Sequence, residues 1–151
     1  MNSGIYFEIP QMVTNTLWSF LRNIKIENYN WYNIDNQSEI YNEKSDGEFF
    51  YKKHYSGTEF FNLIQLNHHI IFLKLQAYLI DDGFKNIDSY EEFINSDCQI
   101  IILVYDCKYV EIYSKQELEL YEIYQSAQEN NYKNISYITE NNRDRNNMNV
   151  L

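Results

Sequence analysis

The chain has 151 residues, 22 acidic against 12 basic side chains and a formal charge of −10. That length suits one domain able to bury a core without disulfide or metal, and with 44% hydrophobic and 17% aromatic residues the chain is too apolar to be disordered. One Pro and 4 Gly exclude collagen-like, linker-like and glycine-rich phosphate-loop readings, while the negative field disfavours nucleic acid and no basic patch is long enough to overcome it.

Ile5, Phe7 and Ile9 alternate along a first strand that Pro10 halts. Val13, Leu17, Phe20, Leu21 and Ile24 recur at helical spacing and predict an amphipathic helix over 14–24. From 28 to 55 the pattern loosens and aromatics crowd. There Trp31, Asn33 and Asp35 alternate with Tyr32 and Ile34 as a strand, and Asp46-Gly47 suits a hairpin turn between 39–41 and 49–51. Three Ser-x-x-Glu boxes beginning at Ser56, Ser89 and Ser114 predict capped helices over 57–66, 90–96 and 115–130.

Two strong strands lie among these helices. His69, Ile71, Leu73, Leu75, Ala77 and Leu79 share one face of a long strand, with Lys74 and Gln76 marking a partly solvated opposite face. The run from Cys98 to Asp106 is nearly all apolar and reads as a central strand buried on both sides, turned by Asp106-Cys107-Lys108 into a hairpin that ends at 113. Asn134 to Thr139 supplies a last strand, reached by a right-handed crossover if it runs parallel to its predecessor. The sum is an α+β fold, a single mixed sheet of about five to seven strands with about four helices packed on it. Residues 1–140 form the domain, and 141–151 a flexible or loosely docked tail.

The first residues show neither a basic n-region nor a long apolar h-region, and the apolar run at 100–105 is far shorter than a membrane span. A cytoplasmic protein with reduced Cys98 and Cys107 is therefore expected. Three segments are similar to a family of small uncharacterised proteins, a domain of unknown function, from Bacillus- and Clostridium-like bacteria. They are Gly4-Ile5-Tyr6-Phe7-Glu8-Ile9-Pro10, the block 90–113 with its Tyr105-Asp106-Cys107, and Tyr137-Ile138-Thr139-Glu140-Asn141 with the arginine-containing tail. The resemblance spans most of the chain, more loosely over 28–66. It implies a bacterial, cytosolic, single-domain protein and brings no catalytic or ligand residues with it.

The adjacent His68 and His69 face opposite ways on a strand and cannot share a metal, so one core-edge and one surface imidazole are expected. Cys107 has an acid beside it rather than a base or cation that would lower its pKa. No common catalytic, cofactor or metal motif is present, so none of these roles is assigned to any residue. The favoured reading is a non-enzymatic, inhibitor- or immunity-like protein-binding module with an acidic surface, its partner a basic or mixed-charge protein rather than nucleic acid or membrane. The candidate interaction surface comprises Trp31, Tyr32, Asp81, Asp82, Asp88 and Asp106. One alternative is a small enzyme or metal-dependent hydrolase using the strand-end carboxylates Asp81, Asp82 and Asp106. Another is a small-ligand or carbohydrate binder near Trp31.

Overall fold

The structure is a computed structural model that describes residues 2–10, 13–42, 48–79 and 83–151. Its elements are β1 (Gly4–Glu8), α1 (Thr16–Leu21), a 3-10 turn (Ile26–Asn28), β2 (Asn30–Asn42), β3 (His54–Tyr55), α2 (Gly57–Leu63), β4 (His68–Tyr78), α3 (Tyr90–Asn95), β5 (Cys98–Tyr105), β6 (Tyr109–Ser114), α4 (Glu117–Glu129) and β7 (Lys133–Ile138). The strands form one seven-stranded sheet in the order β3-β2-β4-β5-β6-β1-β7. This is the expected α+β architecture of a single sheet with four helices.

Every pairing between neighbouring strands is antiparallel. The parallel relation expected of a crossover survives only at a distance, because β6 and β7 run the same way with β1 inserted between them. Gly4 allows that insertion. A Cβ there would lie 2.5 Å from the Ile112 carbonyl oxygen and 3.0 Å from the Tyr113 ring. The apolar run of β5 places it at the centre of the sheet, with Ile100, Ile102 and Val104 on one face and Cys98, Ile101 and Leu103 on the other.

The first face carries the main core, under α1, α2 and α4. Leu17, Phe20 and Leu21 of α1, Phe60 of α2 and Leu120, Ile123 and Ala127 of α4 all bury there against the sheet. The second face carries Phe93 of α3, Ile87 and Met148 of the C-terminal segment. Lys74 and Gln76, read from the sequence as partly solvated, are fully buried on this second face because the 83–88 loop and the C-terminal segment cover them. The register of β4 slips at Ile71, so Ile70 and Leu73 both reach the first face although an unbroken alternation would separate them.

Two of the three predicted serine caps form. Ser56 makes a complete capping box with Glu59, and the Ser89 hydroxyl accepts from the Glu92 amide while the Glu92 carboxylate accepts from the Asp88 amide. Ser114 instead ends β6 opposite Ile100, and α4 starts at Glu117. Its hydroxyl accepts from the Gln116 amide and donates to Glu119. The aromatic stretch packs inward, with Tyr29, Trp31, Tyr32, Phe49, Phe50 and Tyr55 buried and Tyr41 and Tyr51 exposed. The proposed turn at Asp46-Gly47 lies outside the described residues, although Tyr41 bridges Glu48 across it. The Asp106-Cys107-Lys108 turn forms, closing a three-residue connection between Tyr105 and Tyr109, with Asp106 and Cys107 at positive φ (53° and 60°). Among the described residues no helix is long and apolar enough to cross a membrane.

The two histidines divide as expected, His68 buried and His69 exposed. Asn15 offers α1 no side-chain cap, and His68, whose backbone bridges Asn15, takes that role. Its Nε2 accepts the Leu17 amide at 3.0 Å while Nδ1 lies 2.8 Å from the Leu66 carbonyl. This arrangement needs a neutral ring, and burial lowers the His68 pKa from 6.5 to about 4. Between these pH values the unfolded chain binds a proton that the folded chain refuses, so stability falls as pH drops through that window. The expected loss is roughly 3 kcal/mol, complete near pH 4. In urea unfolding, His68→Phe should cost about 1–3 kcal/mol at pH 7 through the orphaned amide and flatten the dependence between pH 4 and 6.5. A slope unchanged by the substitution would assign the acid sensitivity elsewhere.

Candidate functional site

One transverse row of the second face carries the chemistry. Reading across the sheet, Lys74 of β4 pairs with Leu103 of β5, Leu103 with Glu111 of β6, Glu111 with Tyr6 of β1, and Tyr6 with Ser136 of β7. The alternation of β6 that sends Val110 and Ile112 into the first-face core sends Glu111 to the opposite face, where it is 7% exposed.

Glu111 is bonded on every side. Tyr105 donates to one carboxylate oxygen at 2.8 Å and Tyr113 to the other at 2.6 Å. Arg145 Nε bridges both oxygens at 3.1 Å. The same guanidinium donates through Nη1 to the Asn149 carbonyl and to Asn147, and lies over the Tyr105 ring. Burial, reinforced by the neighbouring carboxylate, pushes the Tyr105 phenol up to about 12 and raises Tyr113 further. Tyr6 is raised by burial and by its bond to Glu8.

Beside this hub opens a cleft of about 570 Å³, a size suited to a small ligand or a few residues of a partner chain. Tyr6, Tyr105, Glu111 and Tyr113 form its floor, Ser136 and Tyr137 of β7 one wall, and Asn142 to Arg145 the other. Arg143 Nη1 donates to the Arg145 carbonyl, and its guanidinium stacks 3.9 Å from the centre of the Tyr90 ring. The Arg143 Nε is buried without a hydrogen-bond partner.

Lys74 occupies the other end of the row, fully buried, its ammonium donating to Asn86 at 3.2 Å, to Asn149 at 2.9 Å and to the Ile87 carbonyl. Burial lowers its pKa to about 8, which leaves it charged at neutral pH and able to supply all three bonds. Among the described residues no group of three or more His, Cys, Asp or Glu side chains is placed to hold a metal ion.

Of the candidate interaction surface read from the sequence, the described residues Trp31, Tyr32, Asp88 and Asp106 do not line the cleft. Trp31 is sealed in the first-face core, stacked on Phe60 and donating its indole N–H to the Ile26 carbonyl, so it presents no surface and no ligand can reach it. Tyr32, 7% exposed, lies on the second face between His54 and Phe84, toward the opposite edge of the sheet. Asp88 and Asp106 are exposed, Asp88 in the loop before α3 and Asp106 in the β5–β6 turn. Asp81 and Asp82 lie outside the described residues. The signal for the cleft was a charged residue within a buried hairpin, flanked by tyrosines, in a chain with two of its three arginines near the end.

Replacing Glu111 by Gln leaves the Arg145 charge without its counter-ion and should cost about 3 kcal/mol. Tyrosine 13Cζ titration should then show Tyr105 ionising closer to pH 10, with burial still holding it above that value. An unchanged titration would show that the carboxylate plays no part in the shift.

A family model described as "Protein of unknown function (DUF2691)" matches residues 2–149. The chain is also 30% identical over 153 aligned positions to the uncharacterised protein YncE of Bacillus subtilis (strain 168), covering 99% of this chain and 100% of that one. No solved structure matches. The Glu111 cleft and the sheet that frames it therefore belong to a member of the DUF2691 family, proteins of unknown function.

Proposed function

We propose that this protein is a cytoplasmic, non-enzymatic binding module that holds part of a partner protein in the Glu111 cleft. One observation carries the reading. The cleft's acidic protons are committed, those of Tyr105 and Tyr113 to Glu111 and that of Tyr6 to Glu8, with Arg145 closing the cluster. Raised phenol pKa values keep those hydroxyls neutral at physiological pH. Such a surface recognises groups by shape and hydrogen bonding but holds no activated nucleophile or base. Tyrosine and arginine are also the side chains that most often anchor protein interfaces.

The partner is a protein of mixed or basic overall charge. The net −10 draws a basic molecule toward the module and speeds the encounter, and the cleft then fixes the register. The test is affinity capture from the native host at low and moderate salt, using the intact chain and a Ser136→Trp variant. Ser136 is exposed on β7 at the cleft wall, so the indole blocks the cleft without disturbing the core. A stoichiometric partner retained by the intact chain and lost from the variant is expected. No partner at either salt concentration, or one held equally by both proteins, would contradict the reading.

A further inference from the structure

We propose that the partner continues past the Glu111 cleft onto a second surface, where a basic amphipathic segment of it lies across α3 and α4. The inference rests on the binding reading above and adds the chemistry of that segment. A specific complex buries about 800 Å² on each partner, more than one cleft supplies. The loop 139–142 that borders the Glu111 cleft also borders a neighbouring groove of about 590 Å³. The loop is a fixed ridge between the two. The Thr139 amide donates to Asn142 Oδ1, and Asn142 Nδ2 donates to the Tyr137 carbonyl.

Phe93 and Ile94 of α3, Glu117 of α4 and Glu140 of the loop line this groove. Ile94 is 50% exposed there. Leu118 and Tyr121, 65% and 54% exposed, carry the apolar surface onward from Glu117 by one turn of α4. Large apolar side chains left open on two helices that flank one groove make the kind of patch a partner covers. The three-residue spacing of Leu118 and Tyr121 forms a short ridge that an amphipathic helix receives between its own side chains.

The charge around the patch has one sign. Helix α4 carries four glutamates and no lysine or arginine. Glu119 is held by Tyr29 and Ser114, Glu129 pairs with Arg22, and Glu117 accepts the Asn2 amide. Among the described residues Glu122 and Glu140 meet no cation. Lys115, which also lines the groove, turns its ammonium to the Ser96 carbonyl and the Phe93 ring. Carboxylates around exposed apolar side chains suit a segment in which lysine or arginine flanks an apolar stripe, and they repel an acidic one.

The test uses purified full-length protein and synthetic peptides of equal length. One is an amphipathic helix of leucine and lysine, one a scrambled peptide of the same composition, and one the same helix with glutamate for lysine. Backbone amide shifts locate the binding by NMR. The leucine–lysine helix should move the amides of 93–96 and 117–122 saturably. The scrambled peptide should bind roughly tenfold more weakly, and the glutamate helix should not bind. Leu118→Lys and Ile94→Lys, at exposed positions on different helices, should each weaken the leucine–lysine helix by roughly tenfold. Unchanged circular dichroism spectra would show that the fold persists. Equal binding of the scrambled peptide, binding of the glutamate helix, shifts confined to other surfaces, or full binding by both variants would each overturn the assignment. The two claims separate in affinity capture. A partner lost from Ser136→Trp but held fully by Leu118→Lys and Ile94→Lys would sink the second surface alone. Peptide binding at α3 and α4 without any captured protein would sink the partner reading alone.

Discussion

A carboxylate and an ammonium lie in one row across the second face of the sheet, Glu111 on β6 and Lys74 on β4, separated by the apolar Leu103 of β5. Leu103 keeps them from pairing directly, since neighbouring strands are about 4.8 Å apart and these two charges sit two strands from each other. Each must therefore find partners above the sheet, because a buried charge left unpaired costs several kcal/mol. Both find them in the same place. Arg145 and Asn149, four residues apart, meet Glu111 and Lys74 respectively.

That shared requirement organises everything on the second face. The C-terminal segment is drawn across the sheet, so that Met148 is buried and its amide bonds to the Asp88 carbonyl, while the Val150 amide reaches Gln37 on β2. The 83–88 loop is held from beneath by Lys74, Gln76 and Tyr78. Arg143, two residues before Arg145, is thereby delivered to the ring of Tyr90, with one donor left over. The cleft is the gap between this strapped segment and the edge of the sheet at β7. The cleft on this face is thus a by-product of how two buried charges are neutralised.

The sheet could be read from the chain because its signals are local. The branched run of β5, the period-2 pattern of β1 and the Asp106-Cys107 turn each state their geometry within a few residues. The second face could not be read that way. Lys74 and Gln76 look solvent-facing in an alternating strand, and they are covered by the 83–88 loop and, at Lys74, by a segment some 75 residues later. Ser114 carried a valid capping pattern, but its pairing with Ile100 kept it in the sheet. Trp31 and Tyr32 are adjacent and equally aromatic, and they went to opposite faces. Local pattern placed them on a strand and made them candidates for an interaction surface, and it gave no sign that both would be covered. The cleft escaped for the same reason, since Glu111 and Arg145 are 34 positions apart and their pairing is tertiary.

The central claim is that the Glu111–Arg145 bond ties the C-terminal segment to the sheet as a structural part of the second face. Residue-resolved hydrogen exchange on the intact chain and on Arg145→Met measures this directly. The amides of Met148 and Val150, which bond to Asp88 and Gln37, should be protected to a degree close to that of β6 in the intact chain. In the variant they should lose about 3 kcal/mol of protection while the β5 amides keep theirs. Free exchange at both amides in the intact chain, or undiminished protection in the variant, would contradict the account.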